Sequence, residues 1–283
     1  MPALPVTESK LLAFTVLAHD KKKLLSETIR NYLCAIAFVH KINGYDDPRN
    51  TSSLLRLVLD GCRRHDRDNG YEKRLRLGIS GTMLKTVVSS LNLSSFRAAR
   101  WAAWACTSYF GCFRANELVQ TANGGVRFLW GHLHIGANAT SFMTLKQYFC
   151  KPRQFGPAVN IPICFTGEST CPVLRTKHYR AFFAGKGNLD HLPAFMDLDG
   201  KPYTYKQALA DTRYYLRQCG YTGNHYGTHS FRIGLASEAG RLALPDWTVQ
   251  LLGRWNSQCF RIYIQTDPTV LAGYAHQLRG TGR

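Results

Sequence analysis

His229 and Arg232 stand three residues apart in the segment "YGTHSFRIG", and on a helix beginning near Thr228 they share one face. A helix N-terminus attracts anions, so an imidazole and a guanidinium placed there would converge on one phosphate. The spacing alone is weak, because roughly one such pair is expected by chance in a chain of this size. His276 and Arg279 repeat it near the C-terminus, where they read as surface residues. What surrounds the first pair is more telling. Pro245 opens a helix through Trp247, Val249, Leu251 and Leu252, Gly253 ends it, Arg254 and Trp255 lie at that end, and Tyr263 follows a short loop.

These residues need elements to hold them, and composition bounds what those can be. The chain has 283 residues, with 36 Lys and Arg against 18 Asp and Glu, a formal charge of +18, and 45% apolar side chains. At roughly ~150 residues per domain this is about two domains with ample length for a core, which excludes peptide hormones and small stapled folds. The positive field predicts an anionic partner. Nine cysteines form an odd set with no C-x-x-C pair and no signal peptide before them, which reads as a reduced, intracellular protein with free thiols. No apolar run approaches the roughly ~20 residues of a bilayer span, so no membrane insertion is expected.

The expected fold class is mainly α with a small antiparallel β-sheet, in two domains, 1–93 and 94–283. In the first, Thr7 caps a helix through Leu11, Leu12 and Phe14, and Ser26 caps one carrying Ile29, Leu33, Ile36 and Ala37 that ends near Gly44. Thr51 to Cys62 and Thr82 to Leu91 supply two more helices, and residues 92–95 the linker. A long helix then runs from Ser95 toward Gly111, with a short one over Ala115 to Val119. Alternation in Val126 to Ile135, Ser141 to Phe149 and Val159 to Phe165 predicts three antiparallel strands, with Lys151 at the tip of the second hairpin. After Cys171 the helical period returns, clearest at Ala208, Leu209, Tyr215, Leu216 and Cys219, until Gly220. Arg63, Arg64, Arg67, Lys73, Arg74 and Arg76 crowd a polar segment that is either a solvated loop face or a phosphate-contacting loop. His132 and His134 alternate on a strand and, lacking a third ligand nearby, read as sheet-surface residues rather than a metal pair.

The order "HSFRIG", "GRW", "YI" resembles the tyrosine recombinase (phage integrase) family, and most of all the recombinases of Crypton and DIRS mobile elements. The resemblance covers roughly residues 25 to 275. It implies two upstream anchors, an arginine in R-x-x-E-L, matched by Arg114, Glu117 and Leu118 in "FRANELV", and a hairpin lysine, matched by Lys151 with Phe155 and Gly156 in "CKPRQFG". Cys150, Pro152 and Arg153 depart from the usual neighbours of that lysine, and Lys146 is the alternative. Relatives usually carry a further helix before the "SETIRNYL" segment, which implies a late start or an abbreviated first domain.

By this resemblance the first domain is a helical core-binding unit, the DNA clamp, and the second the α+β catalytic domain. Arg114 and Arg232 would clamp the nonbridging phosphate oxygens, Tyr263 would attack phosphorus, and Lys151 would protonate the leaving 5′ oxygen. His229 would give acid/base support, and Trp255 would donate its indole N–H to the phosphate. The arginines supply the charge that a divalent ion supplies elsewhere, so no metal and no cofactor are expected. Tyr274 is the rival nucleophile. The implied partners are double-stranded DNA, contacted also by the Arg63 to Arg76 cluster, and further copies of the chain in a synaptic tetramer, in the nucleus if the element is eukaryotic. Two alternatives stay open: a type IB topoisomerase, and a catalytically inactive transposon-derived DNA-binding protein.

Overall fold

The computed structural model describes residues 4–50, 52–71, 76–136, 142–148 and 157–265. The chain divides into two compact units, Met1–Arg74 and Leu75–Arg283. This division falls earlier than the expected 93/94 boundary because the helix Gly81–Ser90 buries Leu84, Val87 and Val88 in the core of the second unit.

The first unit contains α1 (Glu8–Asp20), α2 (Ser26–Ile42) and α3 (Ser53–Asp68), closed around Leu11, Ala18, Ile29, Leu33 and Leu55. Thr7 caps α1 as its sequence suggests, accepting from the Lys10 N–H. Ser26 does not cap α2. Leu25 is the N-cap, and the Ser26 N–H donates instead to Asp66 Oδ2 at 2.8 Å, so a carboxylate from another helix closes that end. Ser52 caps α3, which runs past Cys62 to Asp68. The arginine-rich segment is therefore helical rather than a loop for half its length. Leu55, Cys62 and Asp66 turn inward, while Arg63, Arg64 and Arg67 share the exposed side.

The second unit is built on α5 (Phe96–Phe110), which follows α4 (Gly81–Ser90) and is buried on every side from Ala98 to Tyr109. Its alanines allow close approach, and Trp101 and Trp104 fill the core with rings almost wholly removed from water. The one charge on that stretch, Arg100, is answered by Asp197 and Asp211 and lies 4.1 Å from the Tyr203 ring centroid. After α6 (Ala115–Leu118) come three antiparallel strands, β1 (Leu133–Ile135), β2 (Met143–Gln147) and β3 (Val159–Ile163), in the order β1-β2-β3. Leu145 pairs with both Leu133 and Ile161, putting Met143 and Leu145 on the core face. The first strand is shorter than its alternation suggests. Trp130 stacks on Tyr179, and its N–H is taken by the Leu192 carbonyl, so residues 130–132 form a 3-10 turn instead of joining the ladder.

Among the described residues four further helices follow: α7 (Pro172–Ala181), α8 (Tyr205–Gln218), α9 (Ser230–Arg241) and α10 (Asp246–Gly253), and then a 3-10 helix, Gln258–Tyr263. An extended segment crosses α9: Leu77 N–H donates to the His225 carbonyl and Ile79 N–H to that of Ser230. The crossing requires Gly234, because a Cβ there would overlap the Ile79 backbone. Gly234→Ala is expected to cost about 3 kcal/mol in urea unfolding. Gly61→Ala, on α3 with nothing near its Cβ position, is expected to raise stability by up to about 1 kcal/mol in the same measurement.

Candidate active site

The site begins where α5 ends. Gly111 caps the helix, and Cys112 takes a left-handed conformation with φ of 48°, at a cost of about 1 kcal/mol. This turn aims two backbone carbonyls at two arginines. Arg254 donates to the Gly111 carbonyl at 2.8 Å and to that of Cys112 at 3.3 Å, and Arg232 donates to the Cys112 carbonyl as well. Two residues further on, Arg114 is the N-cap of α6, and Glu117 accepts from its backbone N–H at 2.9 Å and from its guanidinium at 3.0 Å. Oε2 of the same buried carboxylate lies 3.5 Å from Arg254. One anion thus faces three arginines, leaving an excess of positive charge for an anionic ligand.

Arg232, on the first turn of α9, has no solvent exposure. Besides the Cys112 carbonyl it bonds the Gly253 carbonyl at 2.6 Å, and its guanidinium carbon sits 4.1 Å from the Trp255 ring centroid. Burial, and then Arg114 and Arg254, lower its proton affinity, but a guanidinium stays charged. Trp255 reaches it because Gly253 has no side chain; a Cβ there would overlap the indole. Arg232 Nε and Trp255 Nε1 are both buried, and neither has a hydrogen-bond partner among the described residues.

His229 is the N-cap of α9. Burial first, then the fields of Arg232, Arg114 and Arg76, depress its pKa to about 4, so the ring is neutral at pH 7 and one nitrogen is open to a proton. The Tyr263 ring lies 5.1 Å from that of His229 and 5.6 Å from that of Trp255, centroid to centroid. Its backbone is fixed from α9: Ser237 Oγ donates to the Tyr263 carbonyl at 3.1 Å and accepts from the Gln265 N–H at 2.9 Å. The Gln265 side chain in turn bonds the Gly78 N–H at 2.9 Å and the Arg76 carbonyl at 2.6 Å, tying the tyrosine segment to the extended segment that crosses α9.

Five of the six residues expected at the centre, Arg114, His229, Arg232, Trp255 and Tyr263, therefore come together. Lys151 lies outside the described residues, as do Lys73, Arg74, Tyr274, His276 and Arg279. Lys146 is on β2, on the face away from the core, with its ammonium 5.3 Å from the Tyr148 ring centroid. His132 packs on Tyr148, and burial and then Lys146 lower its pKa; among the described residues neither it nor His134 joins a cluster of metal-ligating side chains. Three residues were missed. Arg254, beside the Trp255 that drew attention, holds Glu117 and the α5 turn. Arg76, which sequence reasoning grouped with Arg63, Arg64 and Arg67, belongs to the second unit; it fits against Gly227 and acts on His229. Ser237 was invisible, since nothing in its spacing signals that it holds the tyrosine.

Among solved structures, the fold is similar to the XerH site-specific recombinase bound to its palindromic difH substrate in a post-cleavage complex, with a TM-score of 0.61 at 15% identity over 95% of this chain and 69% of that one. It is similar to the XerA recombinase at a TM-score of 0.54 and 12% identity, over 98% of this chain and 85% of that one. The Tn1549 transposon integrase in complex with transposon right end DNA gives 0.56 and 13%, over 100% and 88%. The chain has the tyrosine recombinase fold. No family model and no curated protein matches the sequence. The recombinase fold is thus recognisable in the backbone at identities where overall sequence similarity has faded, and the helical unit with a small three-stranded antiparallel sheet agrees with it.

The depressed His229 pKa has a thermodynamic consequence. The folded state holds this proton less tightly than the unfolded chain, so the unfolded chain takes up more protons as pH falls from about 6.5 to about 4, and stability drops across that window. The loss is on the order of 2 kcal/mol. Urea unfolding of His229→Gln over the same range is expected to show a flatter profile than the native chain.

Proposed function

We propose that this chain is a site-specific DNA recombinase that cuts and rejoins strands through a 3′-phosphotyrosine intermediate. The observation that carries the reading is a buried, cation-rich centre in which, among the described residues, Arg232 Nε and Trp255 Nε1 lack acceptors, with a neutral imidazole against the ring of Tyr263. Buried donors without partners are rare in folded proteins, and a nonbridging phosphate oxygen would answer both. XerH is bound to a DNA substrate and the transposon integrase is complexed with transposon-end DNA, which supports DNA as the anion here.

In the proposed reaction the Tyr263 oxygen attacks phosphorus as His229 accepts the phenolic proton. The P–O bond to the 5′ oxygen breaks, and that oxygen leaves as a hydroxyl with a proton from Lys151, or from Lys146. Arg114 spends one amino group on Glu117, keeping other donors for the equatorial oxygens whose charge grows at the transition state. The ester conserves the bond energy, so a second 5′ hydroxyl can reverse the step on another strand, in a synaptic assembly of several copies. Arg63, Arg64 and Arg67 on α3 would contact phosphates without reading bases.

Covalent trapping tests the chemistry. Incubation with fragmented DNA, denaturation and recovery of protein-bound DNA is expected to give adducts with the native chain and none with Tyr263→Phe. Adducts that persist in the variant would move the nucleophile elsewhere, with Tyr274 next. Salt-sensitive binding without adducts would identify an inactive DNA-binding protein, and relaxation of supercoils by a monomer a topoisomerase. Replacing Arg63, Arg64 and Arg67 with Ala is expected to reduce the slope of log K against log salt by about 2 to 3, measured by fluorescence anisotropy on duplex DNA.

A further inference from the structure

The first unit holds a cluster that the proposed reaction does not use. His19, in the last turn of α1, and His65 and Asp66, near the end of α3, each bring a potential ligand atom within 4.8 Å of the others. His19 Nε2 lies 3.0 Å from Asp66 Oδ1, and the His19 and His65 rings meet edge to face with centroids 5.0 Å apart. A cavity of about 310 Å³ opens beside them, lined also by Asp20, Asn69 and Tyr71.

We propose that His19, His65 and Asp66 form a zinc site. Two imidazoles and a carboxylate suit Zn²⁺, whereas Ca²⁺ and Mg²⁺ prefer oxygen alone. Bonds of about 2.0 to 2.2 Å in a tetrahedral site place ligand atoms about 3.3 to 3.5 Å apart, which the present separations reach by side-chain rotation. His65 is exposed; its ring nitrogens lie 3.1 and 3.2 Å from Asn69 Nδ2, a contact that coordination would replace, and the cavity has room for a water at the fourth position.

The two buried ligands are already oriented by a surrounding shell. In the metal-free chain His19 Nε2 donates to Asp66 Oδ1; coordination would replace that bond, with the ring proton moved to Nδ1, 3.4 Å from Asp20 Oδ1. Asp66 Oδ2 is engaged by the Ser26 N–H, which leaves Oδ1 for coordination. Asp66 would give the metal one negative charge directly and Asp20 a second beside it, against Lys23 on the same cavity wall. The metal would join the end of α1 to α3, the helix that carries Arg63, Arg64 and Arg67. This is a structural role, independent of the reaction proposed above.

The test uses the full chain, stripped with a chelator and titrated with zinc alone by calorimetry and thermal melting. One zinc per chain is expected, with Kd below about 1 µM and a Tm raised by about 5 °C at saturation. His65→Ala removes an exposed ligand outside the core; it is expected to keep the metal-free Tm and bind zinc at least about 30-fold more weakly. Cobalt in place of zinc is expected to give visible bands without a thiolate charge-transfer band. Failure to bind one zinc per chain at about 100 µM, equal affinity in His65→Ala, or a thiolate band with cobalt would each overturn the proposal.

Discussion

A guanidinium with no exposure to water must find acceptors inside the protein, and Arg232 finds them at the ends of two other helices. The Cys112 carbonyl ends α5 and the Gly253 carbonyl ends α10, so one side chain from α9 ties three helix termini together. Removing an unpaired charge of this kind from water costs several kcal/mol, and the surrounding geometry answers it. It explains the left-handed Cys112, which turns its carbonyl toward the site, and the bare Gly253, which lets Trp255 cover the cation.

Glu117 does for the remaining arginines what the carbonyls do for Arg232. Nearly buried, it takes the Arg114 guanidinium on Oε1, and on Oε2 it takes the Arg114 main-chain N–H and approaches Arg254. The resulting centre is rich in fixed donors and poor in anions. Burial, and then this field, leave His229 without a proton at neutral pH. The same cations that would attract an anion therefore help burial keep the imidazole neutral.

Much of this was legible in the sequence, for reasons that differ by residue. The α5 helix announced itself by aromatic and alanine periodicity and by Gly111 at its end, and the three strands by alternation. His229 and Arg232 were legible as a helical pair, and their link to Tyr263 only through the motif order that resembles the recombinases. The failures share a cause, which is that a partner distant in sequence replaced a local one. Asp66 does the work expected of Ser26 at the start of α2, and the backbone at Leu192 claims Trp130 before a strand can. Arg254 and Trp255 are adjacent, and only the tertiary fold decides that the arginine turns to Glu117 while the indole turns to Arg232 and Tyr263.

The contact between Gly234 and the Ile79 backbone places main chain against main chain, with no side chain between to yield. A helix held in this way can neither roll about its axis nor slide along it without breaking the crossing. His229, Arg232 and Ser237 therefore behave as teeth of a single comb, keyed to one angular setting, and the imidazole, the cation and the anchor of the tyrosine segment move together or not at all. Any adjustment that accommodates different ligands has to come from the segments attached to that comb.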